Sequence, residues 1–215
     1  MSEPTADIVA QKRVMRREIR ARLDALDGLQ IESRSRALAD RLFATSWWAS
    51  GQWIFVFIPM FGEVDTRFIV AEAYKEAKQV AIPRMEGEEL AFYVYDGDTE
   101  NLVPNQFGIL EPDPSWKLVD PAAPTGKRLL ILAPGLAFDR QGRRLGKGKG
   151  YYDRFLHGMR AAHPAGRDSW AVGLALTEQF VDRVPVSAHD ERLEGIVSDR
   201  EVIDCGSPGG QGRRP

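Results

Sequence analysis

Apolar positions along the chain change period near residue 50. Upstream, Ile8, Val9, Met15, Ile19, Leu23 and Leu26 recur at helical spacing and predict an amphipathic helix over 8–26. After the Asp27-Gly28 break, Leu38, Leu42 and Phe43 mark a second helix. Downstream, WIFVFI (53–58) is a short β-branched and aromatic run, Thr66 to Lys78 returns to helical spacing, and QVAIP (79–83) is apolar again. A strand, helix and strand of these lengths make a right-handed crossover between parallel strands. LAFYVY (90–95) adds another strand, and EPDPSWKLVDPAAP (111–124) reads as a Pro-rich loop. LLILA (129–133) has the unbroken apolar character of a buried central strand, Tyr151 to Ala162 a helix, and SWAVGLAL (169–176) and GIV (195–197) complete the sheet. The alternation predicts an α/β fold with a mostly parallel sheet covered on both faces. No repeat or linker divides the body, so a single domain over 1–204 is expected, with 205–215 as a disordered Gly/Pro-rich tail.

Composition narrows the class. Of 215 residues, 43% are hydrophobic and 28% charged, which is the balance of a soluble globular domain and excludes disorder, collagen and coiled coil. The single cysteine, Cys205, excludes an internal disulfide or a CxxC metal module and points to a reducing cytoplasm. The longest apolar stretches, 53–62 and 129–138, are broken by proline and fall well short of the roughly 20 residues of a membrane helix. The first residues lack the apolar core of a secretory signal. A cytoplasmic protein without a membrane partner is expected, with a monomer as the default state.

The net charge of −2 excludes a global polyanion binder but hides local asymmetry. Six Lys or Arg fall between Lys12 and Arg22 against one acid, Glu18, and six more between Arg140 and Arg154 against Asp153. Two basic segments in an acidic chain are either solvated faces or the two sides of one anionic ligand.

Ligands of open parallel sheets bind beyond the carboxyl ends of strands, and three of the segments there carry chemistry. In the first, Gly146, Gly148 and Gly150 alternate with Lys147 and Lys149 and run into the helix at Tyr151. Glycines admit backbone amides to an anion, the helix start adds partial positive charge, and the lysines supply full charges, which together make a phosphate cradle. Its spacing is neither that of a Walker A loop nor GxGxxG. In the second, IPMFGEVDT (58–66), Asp65 or Thr66 is placed to cap the next helix, and Glu63 lies in the turn where it can accept a ligand's N–H groups. In the third, VPVSAHDE (184–191), Asp190 either caps, pairs with a cation, or joins Asp153 as an oxygen ligand for Mg²⁺. HExxH and GxSxG are absent, so zinc and serine hydrolases have no support, and His157 and His163 read as solvent-facing.

Lys12-xxx-Arg16, FIPMFGEVDT, FGILEPDP, GRRLGKGKGYYDRFL and VPVSAHDERLEGIVSD occur in that order over about 12–203. Together they resemble the 5-formyltetrahydrofolate cyclo-ligase family. The resemblance implies a three-layer α/β/α sandwich similar to the ribose-phosphate isomerase and CoA transferase-like fold. It implies ATP-dependent closure of 5-formyltetrahydrofolate to 5,10-methenyltetrahydrofolate, with Mg²⁺ and release of ADP and phosphate. By motif position, Lys12, Arg16, and Arg144, Leu145, Gly146, Lys147, Gly148, Lys149, Gly150, Tyr151 and Tyr152 correspond to ATP contacts. Ile58, Glu63 and the stretch Lys147 to Tyr151 correspond to folate contacts, Asp153 and Asp190 to metal carboxylates, and Lys147, Arg144 and Tyr151 to the catalytic group. Lys149 stands where many members have Gly, and Phe107 where some have Trp. A nucleotide or RNA binder, a folate binder without turnover, and a sugar-phosphate isomerase on a similar fold use overlapping features. Nucleic-acid binding lacks the interleaved aromatics beyond Tyr151 and Tyr152.

Overall fold

The computed structural model describes residues 6–105, 108–119, 127–163 and 168–206. In chain order these form α1 (Ala6–Leu23), α2 (Gly28–Phe43), α3 (Ser46–Ser50), β1 (Trp53–Phe55), α4 (Arg67–Lys75), β2 (Gln79–Glu86) and β3 (Glu89–Tyr95). Three two-residue strands follow, β4 (Val103–Pro104), β5 (Leu110–Glu111) and β6 (Leu118–Val119), then the central β7 (Leu129–Ala133). The remainder is β8 (Ala137–Phe138), β9 (Arg144–Leu145), α5 (Tyr151–Ala162), β10 (Ser169–Ala175), β11 (Gly195–Ser198) and β12 (Val202–Asp204).

Among the described residues the main sheet has eight strands in the order β12-β11-β10-β7-β1-β2-β3-β6. Its five central strands, β11, β10, β7, β1 and β2, pair in parallel. The outer strands β3, β6 and β12 run antiparallel. Alternation along each strand divides the core in two. Ile54, Val80, Ile82, Leu130, Leu132, Val172, Leu174 and Val197 face the layer of α1, α2, α3 and α4, which contributes Ile19, Leu38, Leu42, Trp47, Trp48 and Ile69. Phe55, Ala81, Leu129, Ile131, Ala133, Ala171 and Ala175 face α5, which contributes Phe155, Leu156 and Met159. A fully buried aliphatic or aromatic side chain contributes about 1.5–3 kcal/mol, so these two faces outweigh any surface ion pair in holding the three layers together.

Local signals set the helix limits. Asp27 and Gln30 form a reciprocal capping box on α2, each side chain accepting the other's backbone N–H at 2.8 and 3.0 Å. Asp65, rather than Thr66, caps α4, accepting the Arg67 amide at 3.0 Å, while Thr66 donates its hydroxyl to the Phe57 carbonyl. That helix stops at Lys75 rather than Lys78, because Ala77 turns to a positive φ of 54°.

Four readings of the sequence need correction. The strand predicted over 53–58 keeps its ladder only to Phe55, with one further bond from the Val56 amide to the Ala81 carbonyl, and the chain then leaves the sheet to build the site. The Pro-rich segment predicted as loop supplies the edge strand β6 at 118–119, and its residues 120–124 lie outside the described ones. Cys205 belongs to the fold: its amide donates to the Glu194 carbonyl and its side chain packs under the turn at Gly142. The tail from 207 lies outside the described residues. His163, read as solvent-facing, is 6% exposed, because it leaves helical geometry as the C-cap of α5 and packs into the fold. His157 does face solvent and pairs with Glu191.

Candidate active site

The five parallel strands point the same way, so the segments after β1, β7 and β10 emerge at one end of the sheet. After β7 the chain makes a tight turn at Gly135, where a Cβ would lie 2.6 Å from the Phe138 ring and 2.9 Å from the Arg144 side chain. It continues as the β8–β9 hairpin. The buried Asp139 fixes the hairpin turn, with Oδ1 accepting the Gln141 and Arg143 amides at 3.0 and 3.2 Å and Oδ2 accepting the Val184 amide at 2.9 Å. A carboxylate this satisfied ties the segment after β7 to the one after β10, so the glycine segment leaves the fold from a rigid base.

That segment, Gly146 to Gly150, is open, with Lys147, Gly148 and Lys149 exposed. Gly148 and Gly150 take φ of 108° and 70°, which residues with a Cβ rarely adopt. Gly150 is also the N-cap of α5 and, having no side chain, leaves the first-turn amides of that helix without a side-chain partner. Helix-start amides without a side-chain cap, beside lysines, are the donor set an anion requires. Arg16 reaches over from α1, its Nε donating to the Gly146 carbonyl at 2.9 Å and its guanidinium carbon 3.4 Å from where a Cβ on Gly148 would stand. Burial lowers the Arg16 pKa, with repulsion from Arg20 adding and Asp190 opposing, and the group remains a cation at neutral pH. The two basic segments of the sequence therefore meet.

The segment after β1 closes one side. Met60 to Glu63 form a turn, with the Glu63 amide donating to the Met60 carbonyl at 3.0 Å, Gly62 at φ 82°, and Glu63 Oε2 accepting the Met60 amide at 2.9 Å. Lys147 Nζ lies 2.7 Å from Glu63 Oε1 and 2.9 Å from Met60 Sδ, so the glycine segment and this turn are joined by one ammonium. Ile58 is half-buried against the core at the start of the same segment. The segment after β10 closes the other side. Lys12 Nζ sits 2.5 Å from Asp190 Oδ2 and 3.0 Å from Ser187 Oγ, and the Ser187 amide donates to the same Asp190 oxygen at 2.6 Å.

Behind the glycines lies a buried pair. Arg144, with 3% of its side chain exposed, donates to Asp153 Oδ1 at 2.8 Å and to the Pro134 carbonyl at 3.1 Å. The Glu191 amide also reaches Asp153 Oδ1, at 3.3 Å. Arg144 thus supports the segment from within rather than lining its open face. The Tyr152 ring lies 5.6 Å from the Arg144 guanidinium, and both Tyr152 Oη and Arg144 Nε are buried without a hydrogen-bond partner among the described residues. Burial pushes the Tyr152 phenol upward in pKa, the Glu63 carboxylate adds to this and Arg144 opposes it, which keeps Tyr152 a neutral donor. Tyr151 is more open and donates its hydroxyl to the Gly87 carbonyl at 3.2 Å, and Arg154 lies over its ring at 5.3 Å.

No group of three or more His, Cys, Asp or Glu side chains gathers as a metal cage among the described residues. Asp153 and Asp190 each commit one oxygen to a cation and a backbone amide, and the other oxygen of each makes no hydrogen bond among the described residues. That donor set fits a Mg²⁺ that takes one or two carboxylate oxygens and completes its shell with phosphate and water, and does not fit a dedicated protein cage. A separate cavity of about 380 Å³, lined by Gln52, Trp53, Glu76, Lys78, Gln79 and Lys127, opens at the amino ends of β1 and β2 and contains none of these residues.

The sequence model of the 5-formyltetrahydrofolate cyclo-ligase family matches residues 8–199. The chain belongs to that family. A mouse protein named 5-formyltetrahydrofolate cyclo-ligase is 31% identical over 194 residues, covering 86% of this chain and 92% of its own. An Escherichia coli K12 protein of the same name is 30% identical over 188 residues, covering 86% of this chain and 98% of its own. The solved structure of a 5,10-methenyltetrahydrofolate synthetase from Aquifex aeolicus superimposes with a TM-score of 0.73 at 28% identity, covering 95% of this chain and 96% of the other. The α/β architecture is therefore that of the family, and the chain is a member of a family of ligases.

Every described residue that the motifs single out lies at the same end of the sheet. Lys147 and Glu63 come together, as do Arg16 and Gly146, Lys12 and Asp190, and Arg144 and Asp153. Phe107 lies outside the described residues. Met60, Ser187 and Glu191 take part without having been singled out. Each carries no charge-pattern signal or lies in a segment whose partners come from far along the chain, and only the tertiary contacts reveal them.

Proposed function

We propose that this protein closes 5-formyltetrahydrofolate to 5,10-methenyltetrahydrofolate at the expense of ATP, releasing ADP and phosphate. The observation that carries this reading is the single ammonium of Lys147 shared between the glycine segment and Glu63. A phosphate-binding element and an acceptor for ring N–H groups are thereby held one salt bridge apart. An N-formyl oxygen has to receive a phosphoryl group before it can leave, so the two ligands must meet at such a distance. Membership of the family, whose named relatives share this activity, supports the same substrates.

In this reading the formyl oxygen attacks the terminal phosphorus of ATP and the bond to ADP breaks. N10 then adds to the formyl carbon and loses its proton, and the carbon–oxygen bond breaks with phosphate taking the electron pair. Phosphoryl transfer of this kind depends on positioning and charge neutralisation more than on covalent participation by the protein. Lys147, Lys149 and the amides at the start of α5 hold the phosphates, with Arg16 and Lys12 on the α1 side. Glu63 orients the folate ring, and Ile58 offers it an apolar contact. Tyr151 borders both ligands, and Tyr152, kept neutral, serves as a donor. Arg144 is assigned a positioning role through Asp153. Mg²⁺ bound between Asp153, Asp190 and the nucleotide would neutralise phosphate charge. The reading is of a monomeric cytoplasmic enzyme; among the described residues no helix is long and apolar enough to cross a membrane.

The test is a near-ultraviolet absorbance time course with 5-formyltetrahydrofolate and Mg²⁺, with and without ATP. The methenyl chromophore appearing only with ATP supports the reading, and its absence in folded protein overturns it. Asp153→Asn should move the Mg²⁺ dependence of that rate to higher concentration, and a superimposable Mg²⁺ titration would remove Asp153 from the metal side.

A further inference from the structure

Phe61 is 92% exposed, the most open large apolar side chain among the described residues, with Met60 beside it at 39%. A bare phenylalanine contributes nothing to the core, and a lone one on a surface would need no explanation. This one has a defined position. It is the second residue of the Met60 to Glu63 turn, with Gly62 at φ 82° following it. The turn is fixed from both sides: Glu63 Oε2 accepts the Met60 amide, and Lys147 holds both Glu63 Oε1 and Met60 Sδ. The ring is therefore presented from a clamped support at the rim of the proposed site, one residue from the clamp itself.

A flat heteroaromatic ligand needs a polar partner for its edge and an apolar one for its face. Glu63 supplies the first, and Phe61, two residues before it on the same turn, is an exposed ring placed to supply the second. We infer that Phe61 stacks on the aromatic portion of the substrate and selects for it, a role that rests on the folate reading of the site. The alternative occupant, the adenine of the nucleotide, is less favoured: the turn lies on the Glu63 side of Lys147, and of the α1 cations Arg16 contacts Gly146 while Lys12 pairs with Asp190, both away from this turn.

The experiment compares Phe61→Ala, Phe61→Leu and Phe61→Tyr by steady-state kinetics with each substrate varied in turn. Loss of a ring contact on an exposed support should raise the KM for 5-formyltetrahydrofolate about tenfold in Phe61→Ala. The KM for ATP and the thermal midpoint should stay where they are. Phe61→Tyr should recover most of the loss and Phe61→Leu only part of it, because a ring face, and not bulk alone, is required. Leu29→Ala, at a site 80% exposed on α2, serves as the control for removing a surface apolar group. An unchanged folate KM in Phe61→Ala overturns the inference, and a change confined to the ATP KM reassigns the ring to adenine and overturns it equally. A separate readout is independent of turnover: 5-formyltetrahydrofolate should quench the indole placed by Phe61→Trp beyond the quenching seen in the parent protein. If the parent protein shows no ATP-dependent chromophore, the proposed reaction falls, and this quench still decides whether the turn holds the folate ring.

Discussion

Replacing Lys147 with alanine is expected to lower kcat/KM for ATP by about tenfold to a hundredfold. That range corresponds to roughly 1–3 kcal/mol, the usual worth of a charge-assisted hydrogen bond to phosphate. Lys147 is the cation of the glycine segment whose ammonium is fixed within the site, 40% exposed and paired with a Glu63 carboxylate that is 13% exposed. On the proposed reading the ammonium exchanges part of that pairing for phosphate oxygens when nucleotide binds, and Glu63 becomes available to the second substrate. Removal should therefore weaken ATP binding directly and loosen the Met60 to Glu63 turn as well, so the folate KM should rise too, by less. Folding should be little affected, since a partly exposed ion pair contributes about 1 kcal/mol or less. Steady-state kinetics with each substrate varied, alongside a thermal melt, separates these effects. Kinetic constants equal to those of the parent would remove the phosphate-cradle assignment.

The second large effect concerns stability. Gly195 opens β11 on the face toward α3, and a Cβ there would stand 2.1 Å from the Trp47 ring, with two further ring carbons at 2.6 and 2.7 Å. Trp47 is buried and belongs to the core cluster shared by α1 to α4, so the indole has no empty space to enter. Gly195→Ala should cost about 1–3 kcal/mol by overpacking. For a chain of this size that lowers the thermal midpoint by roughly 2–4 °C per kcal/mol. Gly158→Ala should do the opposite. It lies inside α5 with nothing within 4 Å of the added carbon, so relief of the glycine penalty in a helix should raise stability by up to about 1 kcal/mol. Melting curves for the two variants check both signs at once, and a neutral Gly195→Ala would mean that α3 moves aside without cost.

The legible parts of the sequence share a local cause. Strand β7 could be read because five consecutive apolar residues, Leu129–Ala133, leave no polar face for solvent. The Asp27 and Gln30 pair shows the same locality at a helix start, since both partners lie within one turn. The glycine and lysine alternation from Gly146 to Gly150 needs only neighbouring residues to show that backbone amides and cations are offered together. What escaped reading depends on distant partners. The edge strand β6 is two residues long, too short for a periodic signal, and exists because β3, well before it in the chain, offers it open hydrogen bonds. His163 is polar and caps the end of a helix, yet it is buried.

Arg144 makes the same point within the site. Its motif position suggested a residue facing ATP, but the hairpin pairing of Phe138 with Arg144 and the narrow turn at Gly135 direct its side chain inward, onto Asp153. Asp190 was equally open to several roles. Lys12 and Asp190 are 178 positions apart in sequence, and the fold sets these two charges 2.5 Å apart.

By itself the sequence determined the α/β class, the central strands, the alternating glycine and lysine segment and, through the order of its motifs, the family. These follow from periodicity, glycine placement and local charge, each a property of residues that touch their neighbours along the chain. The tertiary structure alone decided which charges are paired, which are buried and which remain open to a ligand. Parallel strands carry three separate segments to one end of the sheet, and pairing across such distances depends on strand order and side-chain direction, which no local pattern encodes.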